Sequence, residues 1–135
     1  MNIPSILRFA ALVTLAFTVH ITAARAQINA TYMESDINLD GSLTEPVWNN
    51  AGVVSDFTQR ELVEGDPATE KTEVRMLFDS DNLYVGVKLF DSDPSGIIAR
   101  ELRWDGNLGS DDSFAMVLDT YHDKRMGFYF AVNPN

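Results

Sequence analysis

The chain contains no cysteine. No disulfide can staple the fold, and thiol nucleophiles and thiolate metal sites are excluded. Histidine is nearly absent too, with His20 and His122 as the only two. His20 falls in the leader described below, so a multi-histidine metal centre is excluded. Basic charge is scarce: ten Lys and Arg face twenty Asp and Glu, for a formal net charge of −10. Such a chain repels phosphate backbones, so nucleic acid is not an expected partner. No apolar run reaches the twenty or so residues that span a bilayer as a helix. The nucleophile elbow G-x-S-x-G, the Walker loop and G-x-G-x-x-G are all missing. Paired carboxylates are plentiful, but among twenty acids a chance pair carries no specific acid–base signal.

What is present begins with an export signal. Arg8 supplies a positive start, FAALVTLAFTV (Phe9 to Val19) an apolar stretch, and Ala24-Arg25-Ala26 a small-residue cleavage site. Residues 1–26 are therefore expected to be removed. Their loss takes away Arg8 and Arg25 and no acid, leaving 109 residues with a formal charge of −12. That length makes one domain at most. The expected location is outside the cytoplasm: periplasm, outer membrane or extracellular space. The sequence closes on FYFAVNPN, a strand pattern and then a turn. This is expected to be an incomplete domain whose parent continues.

Period-two alternation organises the rest. Val74, Met76 and Phe78 share a face, as do Leu83, Val85, Val87 and Leu89. Phe114, Met116 and Leu118 do the same, and so do Phe128, Phe130 and Val132. Four such segments between turn clusters predict antiparallel β structure. Ile37–Gly41 and Phe57–Val63 are weaker strand candidates, and residues 27–36 read as loose. Glu45 to Ala51 predicts one helical turn, with Pro46 at its start, Thr44 as its cap and Trp48 under the sheet. The expected fold is all-β: an antiparallel β-sandwich, immunoglobulin- or jelly-roll-like, truncated at its C-terminus. LFDSD occurs twice, at 77–81 and 89–93. Its acids suit turns, because Asp and Asn bond their own backbone there.

Two candidate sites follow. Turn acids are abundant: Asp79, Asp81, Asp91, Asp93, Asp105, Asp111, Asp112 and Asp119. None follows an EF-hand loop, and Asp91 and Asp93 with a carbonyl from elsewhere are the nearest candidate set for a structural calcium ion, which takes six to eight oxygens. Trp104 lies in the polar, Gly-rich stretch ELRWDGNLGSDD. A tryptophan there either plugs the end of the sandwich or offers a flat apolar face to a sugar ring. Arg103, Asp105, Asn107, Asp111 and Asp112 are candidates to hold sugar hydroxyls.

Three stretches, INLDGSLTEPVWNNA, PATEKTEVRMLFDSDNLYVGVKLFDSDPSG and DDSFAMVLDTYHDKRMGFYFAVNPN, resemble the family 9 carbohydrate-binding module. They look most like its variant at the N-terminus of large exported bacterial proteins. The resemblance covers residues 37–135. It implies a β-sandwich of the DOMON-like group, non-catalytic binding of polysaccharide or oligosaccharide chain ends between aromatic rings, and structural calcium. It also implies an outer-membrane β-barrel later in the same chain. Trp104 stands where a sugar-stacking tryptophan stands in the family, and Asp112 matches the acid opening the next strand. Where sugar-binding members carry a glutamate, this chain has Ala115. Two functions are expected from these residues. One is a carbohydrate-binding module, with any glycosidase chemistry lying outside this segment. The other is a structural or protein-interaction domain capping the barrel without sugar binding.

Overall fold

The computed structural model describes residues 28–135, so the export signal assigned to residues 1–26 lies outside the described residues. The described chain is mostly strand and loop with little helix. All four strongly alternating segments are strands: β3 (Thr72–Phe78), β4 (Leu83–Leu89), β5 (Phe114–Leu118) and β6 (Phe128–Val132). Two two-residue strands precede them, β1 (Thr31–Tyr32) and β2 (Val53–Val54).

β3 and β4 form an antiparallel hairpin paired from Thr72↔Leu89 to Phe78↔Leu83. The connection is tight because Asp79 closes it. Its Oδ1 accepts the Asp81 and Asn82 amides, each at 2.7 Å, and its Oδ2 accepts the Tyr84 hydroxyl at 2.8 Å. β4 takes one edge of β3 along its whole length, so β1 and β2 meet the other edge. β2 runs antiparallel, with Val53 opposite Arg75. β1 runs parallel, with Thr31 opposite Leu77, an exception to the expected antiparallel order. β5 and β6 make a separate antiparallel hairpin, registered Phe114↔Val132 to Leu118↔Phe128.

The core sits on one side of the β3–β4 hairpin. Leu77 is fully buried among Met33, Trp48 and Ala51. Trp48 comes from a short 3-10 turn, Pro46–Asn50, and its indole N–H donates to Glu45 Oε2 at 3.2 Å. The ring packs closely against Gly86 of β4: a Cβ there would stand 2.6 Å from Trp48 Cζ3 and 2.8 Å from Cη2. The opposite side of the hairpin presents Val85 and Val87. These two line a cavity of about 150 Å³ together with Phe114, Met116, Phe130 and Val132 of the second hairpin. Phe128, Phe130 and Val132 nevertheless keep about half their surface exposed.

Several local expectations change. Residues 27–36 are not loose throughout, because Thr31–Tyr32 pairs with β3 and Met33 is buried. A two-residue strand is too short to show alternation, so its sequence carries no periodic signal. Ile37–Gly41 is not a strand; Asp40 Oδ1 instead accepts the Ser42 amide at 2.8 Å in a side-chain-closed turn. Phe57–Val63 contributes a single bridge, Thr58 to Pro67. The 3-10 turn is capped at Glu45 rather than Thr44, with no side-chain capping bond.

Candidate functional site

The segment from Ile97 to Ser113 links the end of the first sheet to β5. It has few apolar residues to bury, so polar bonds hold it. Asp112 closes its base reciprocally: its N–H donates to Ile98 O at 2.8 Å, and its Oδ2 accepts the Ile98 amide at 2.7 Å. Asp111 holds the next stretch, with its Oδ2 accepting the amides of Arg100 at 2.7 Å and Glu101 at 2.8 Å. From the far side, Asn133 Nδ2 donates to Glu101 O at 2.9 Å and Asn135 Nδ2 to Ala99 O at 2.6 Å. The Glu101 amide first, then the Asn133 side chain and the Arg100 amide, hold the Asp111 carboxyl below its ordinary range.

Glu101 then organises the tip. Its Oε1 accepts both the backbone amide and the Nε of Arg103, each at 3.0 Å, and its Oε2 accepts Arg103 Nη2 at 2.9 Å. This forked pairing is the geometry in which guanidinium and carboxylate bind best. It lowers the Glu101 carboxyl to about 2 and raises the Arg103 guanidinium. A turn follows, closed by Gly106 N–H to Arg103 O at 3.0 Å. Trp104 and Asp105 form its corners. Asp105 has φ 54°, a left-handed conformation that Asp tolerates better than most residues. Gly106 has no room for a side chain, since a Cβ would overlap the Cγ and Cδ of Glu101.

Trp104 at that corner is 93% exposed. Its alternative role as a plug of the sandwich end is therefore not the one observed. Beside it lies a cavity of about 310 Å³ lined in part by Glu101, Arg103, Trp104, Asn133 and Asn135. Its walls combine indole, aliphatic and amide surface. No nucleophile–base pair lines it.

The predicted site residues separate into two groups. Trp104, Arg103 and Asp105 share one turn, and the Asp105 carboxylate makes no hydrogen bond among the described residues. Asp112 sits at the loop base with a carboxylate oxygen on the Ile98 amide, and it borders a different cavity, which Asp91 also lines. Glu101, Asn133 and Asn135 were not singled out from sequence. The Asn-Pro-Asn ending was a signal for Asn133 and Asn135, but only as a turn.

Asp91 and Asp93 form a side-chain-closed turn: Asp91 Oδ1 accepts the Asp93 amide at 2.7 Å, and Asp93 Oδ1 accepts Ser95 Oγ at 2.5 Å. Among the described residues no group of three His, Asp or Glu side chains is arranged to hold a metal ion. Asp119 likewise binds backbone, with Oδ2 accepting the Lys124 amide at 2.8 Å.

Comparison with known proteins adds no relative: no family model, no curated protein and no solved structure matches this chain.

Proposed function

We propose that this chain is a non-catalytic carbohydrate-binding module of an exported protein, built on a β-sandwich and gripping a polysaccharide or oligosaccharide end through Trp104. The observation that carries this is an almost fully exposed indole at the corner of a turn that is itself fastened down. An exposed indole gains by leaving water, and a turn fastened by the Glu101–Arg103 pair loses less backbone freedom when a sugar stacks on its corner. Pyranose C–H faces are apolar and match the indole face, while the ring hydroxyls seek polar partners at the rim. Asp105 is the free carboxylate at that rim, and Arg103 is the adjacent cation. The resemblance to the family 9 module points to the same residue.

Titration with a panel of α- and β-linked glucose, xylose and mannose oligosaccharides tests this reading, followed by calorimetry and tryptophan fluorescence. Binding should quench or shift the emission of exposed Trp104 and leave buried Trp48 unaffected. Trp104→Ala should abolish the heat while the fold survives. A panel giving neither heat nor a fluorescence change would end the sugar reading.

A second reading, a protein-interaction domain capping a β-barrel of the same chain, draws support from the half-exposed row Phe128, Phe130 and Val132. Exposed apolar rows of this kind favour a partner surface. Crosslinking in the exporting cell from a photoreactive residue at position 130 should then capture a defined segment of the same chain, read as a linked peptide by mass spectrometry. Capture there, together with a silent sugar panel, selects this reading.

A further inference from the structure

We propose that Asp111 and Asn133 are the positioning residues of the Trp104 platform, passing the register of the β5–β6 hairpin to the turn that carries the indole. The purpose of this clamp rests on the sugar-platform reading, whereas the clamp itself rests on geometry.

Three donors meet on one oxygen, Asp111 Oδ2: the amides of Arg100 and Glu101 and the Asn133 side-chain amide, the last at 3.1 Å. The same Asn133 nitrogen donates to Glu101 O. Glu101 is thus held at both ends of its backbone, its N–H by Asp111 and its C=O by Asn133, and the two holders bond each other. Through its carboxylate Glu101 fixes the backbone and guanidinium of Arg103, the residue before Trp104. The order of dependence is hairpin, clamp, Glu101, Arg103, Trp104.

The hairpin register makes the clamp possible. Phe114 pairs with Val132, which brings the residues just before β5 beside those just after β6. Asp111 lies three residues before Phe114, and Asn133 directly follows Val132. A one-residue slip would turn Asn133 to the other face of the hairpin, away from Asp111. Both residues spend their bonded atoms on the loop backbone and on each other. Asn133 is partly buried with its amide nitrogen on two acceptors, and the shared Asp111 oxygen already serves three donors. Their effect on a ligand is therefore indirect, through the placement of the turn.

Amide hydrogen exchange on the whole protein tests this, with sugar titration in parallel. In Asp111→Ala the Arg100 and Glu101 amides lose their acceptor and should exchange about tenfold faster, as for loss of a net hydrogen bond; in Asn133→Ala, which leaves that acceptor but frees Glu101 O, they should exchange faster by a smaller factor. The β3 and β4 amides should keep their rates. Asp111→Asn, which retains an acceptor oxygen, should restore most of the protection. Oligosaccharide affinity should fall in the same order as protection is lost. Unchanged exchange at Arg100 and Glu101 in both alanine variants would overturn the clamp. If Asp111→Ala does not fold, Asn133→Ala, which removes only two bonds, decides alone. A wild-type protein that binds no sugar in the panel removes the platform reading, while the exchange rates still decide the clamp.

Discussion

Gly86 shows how one missing side chain shapes the core. A Cβ at this position would meet the Trp48 ring at 2.6 Å and Leu43 Cδ2 at 3.0 Å, and the ring is walled by neighbours on its other side. Gly86→Ala should therefore destabilise the protein by about 1–3 kcal/mol, the usual range for overpacking a filled core. Leu77→Ala removes the one fully buried large side chain among the described residues and should cost about 2–5 kcal/mol. Urea unfolding measures both, and a Gly86→Ala protein as stable as wild type would mean that Trp48 does not rest on β4. Trp48 was legible as a core residue from its amphipathic turn. Trp104 was not legible as exposed or buried, because a Gly-rich loop carries no periodicity from which a face can be inferred. Its exposure follows from the Arg103–Gly106 turn, whose corner points outward.

Turns and strands are the elements in which the acids act. Asp79 ends β3 and nucleates the reversal into β4, and the Asp81 amide with the Tyr84 hydroxyl lowers its carboxyl to about 2. A carboxylate depressed in the folded state contributes stability that is present above its unfolded value, 3.8 here, and lost as pH falls through about 2. Glu101 behaves the same way, from 4.5 down to about 2, with Arg103 as its main partner. Thermal unfolding should thus hold its midpoint from neutral pH to about 4.5 as far as these two groups decide it, and then decline steadily. Asp79→Asn should flatten part of that decline. A midpoint that falls equally in the variant would show that the turn is not the acid-labile element. The repeated LFDSD was legible as turn chemistry, since Asx bonding depends on residues two or three apart. The β1 strand and the single bridge at Thr58 were not. The partner of β1 lies far along the chain, and segments of one or two residues show no alternation.

The whole molecule carries a formal charge of −10 and a pI near 4.4. Charges of one sign repel within a compact state, and salt screens the repulsion over roughly 30 Å at 0.01 M and 3 Å at 1 M. Raising sodium chloride across that range should raise the unfolding midpoint, as calorimetry would record; a midpoint that falls would place the balance in the ion pairs Lys71–Glu73, Arg75–Glu73 and Arg103–Glu101 instead. At this scale the two hairpins border one apolar cavity, but no sequence pattern states which hairpin faces which. The sequence by itself determined the four long strands, the acidic turns and the absence of thiol or multi-histidine chemistry, because alternation and Asx bonding are local and composition needs no fold. Only the tertiary structure decided that Asn133 reaches Asp111 and Asn135 reaches Ala99, contacts 22 and 36 residues apart in the chain. Such contacts depend on the register of a hairpin and on the path of a long loop, so they exist only once the strands have paired.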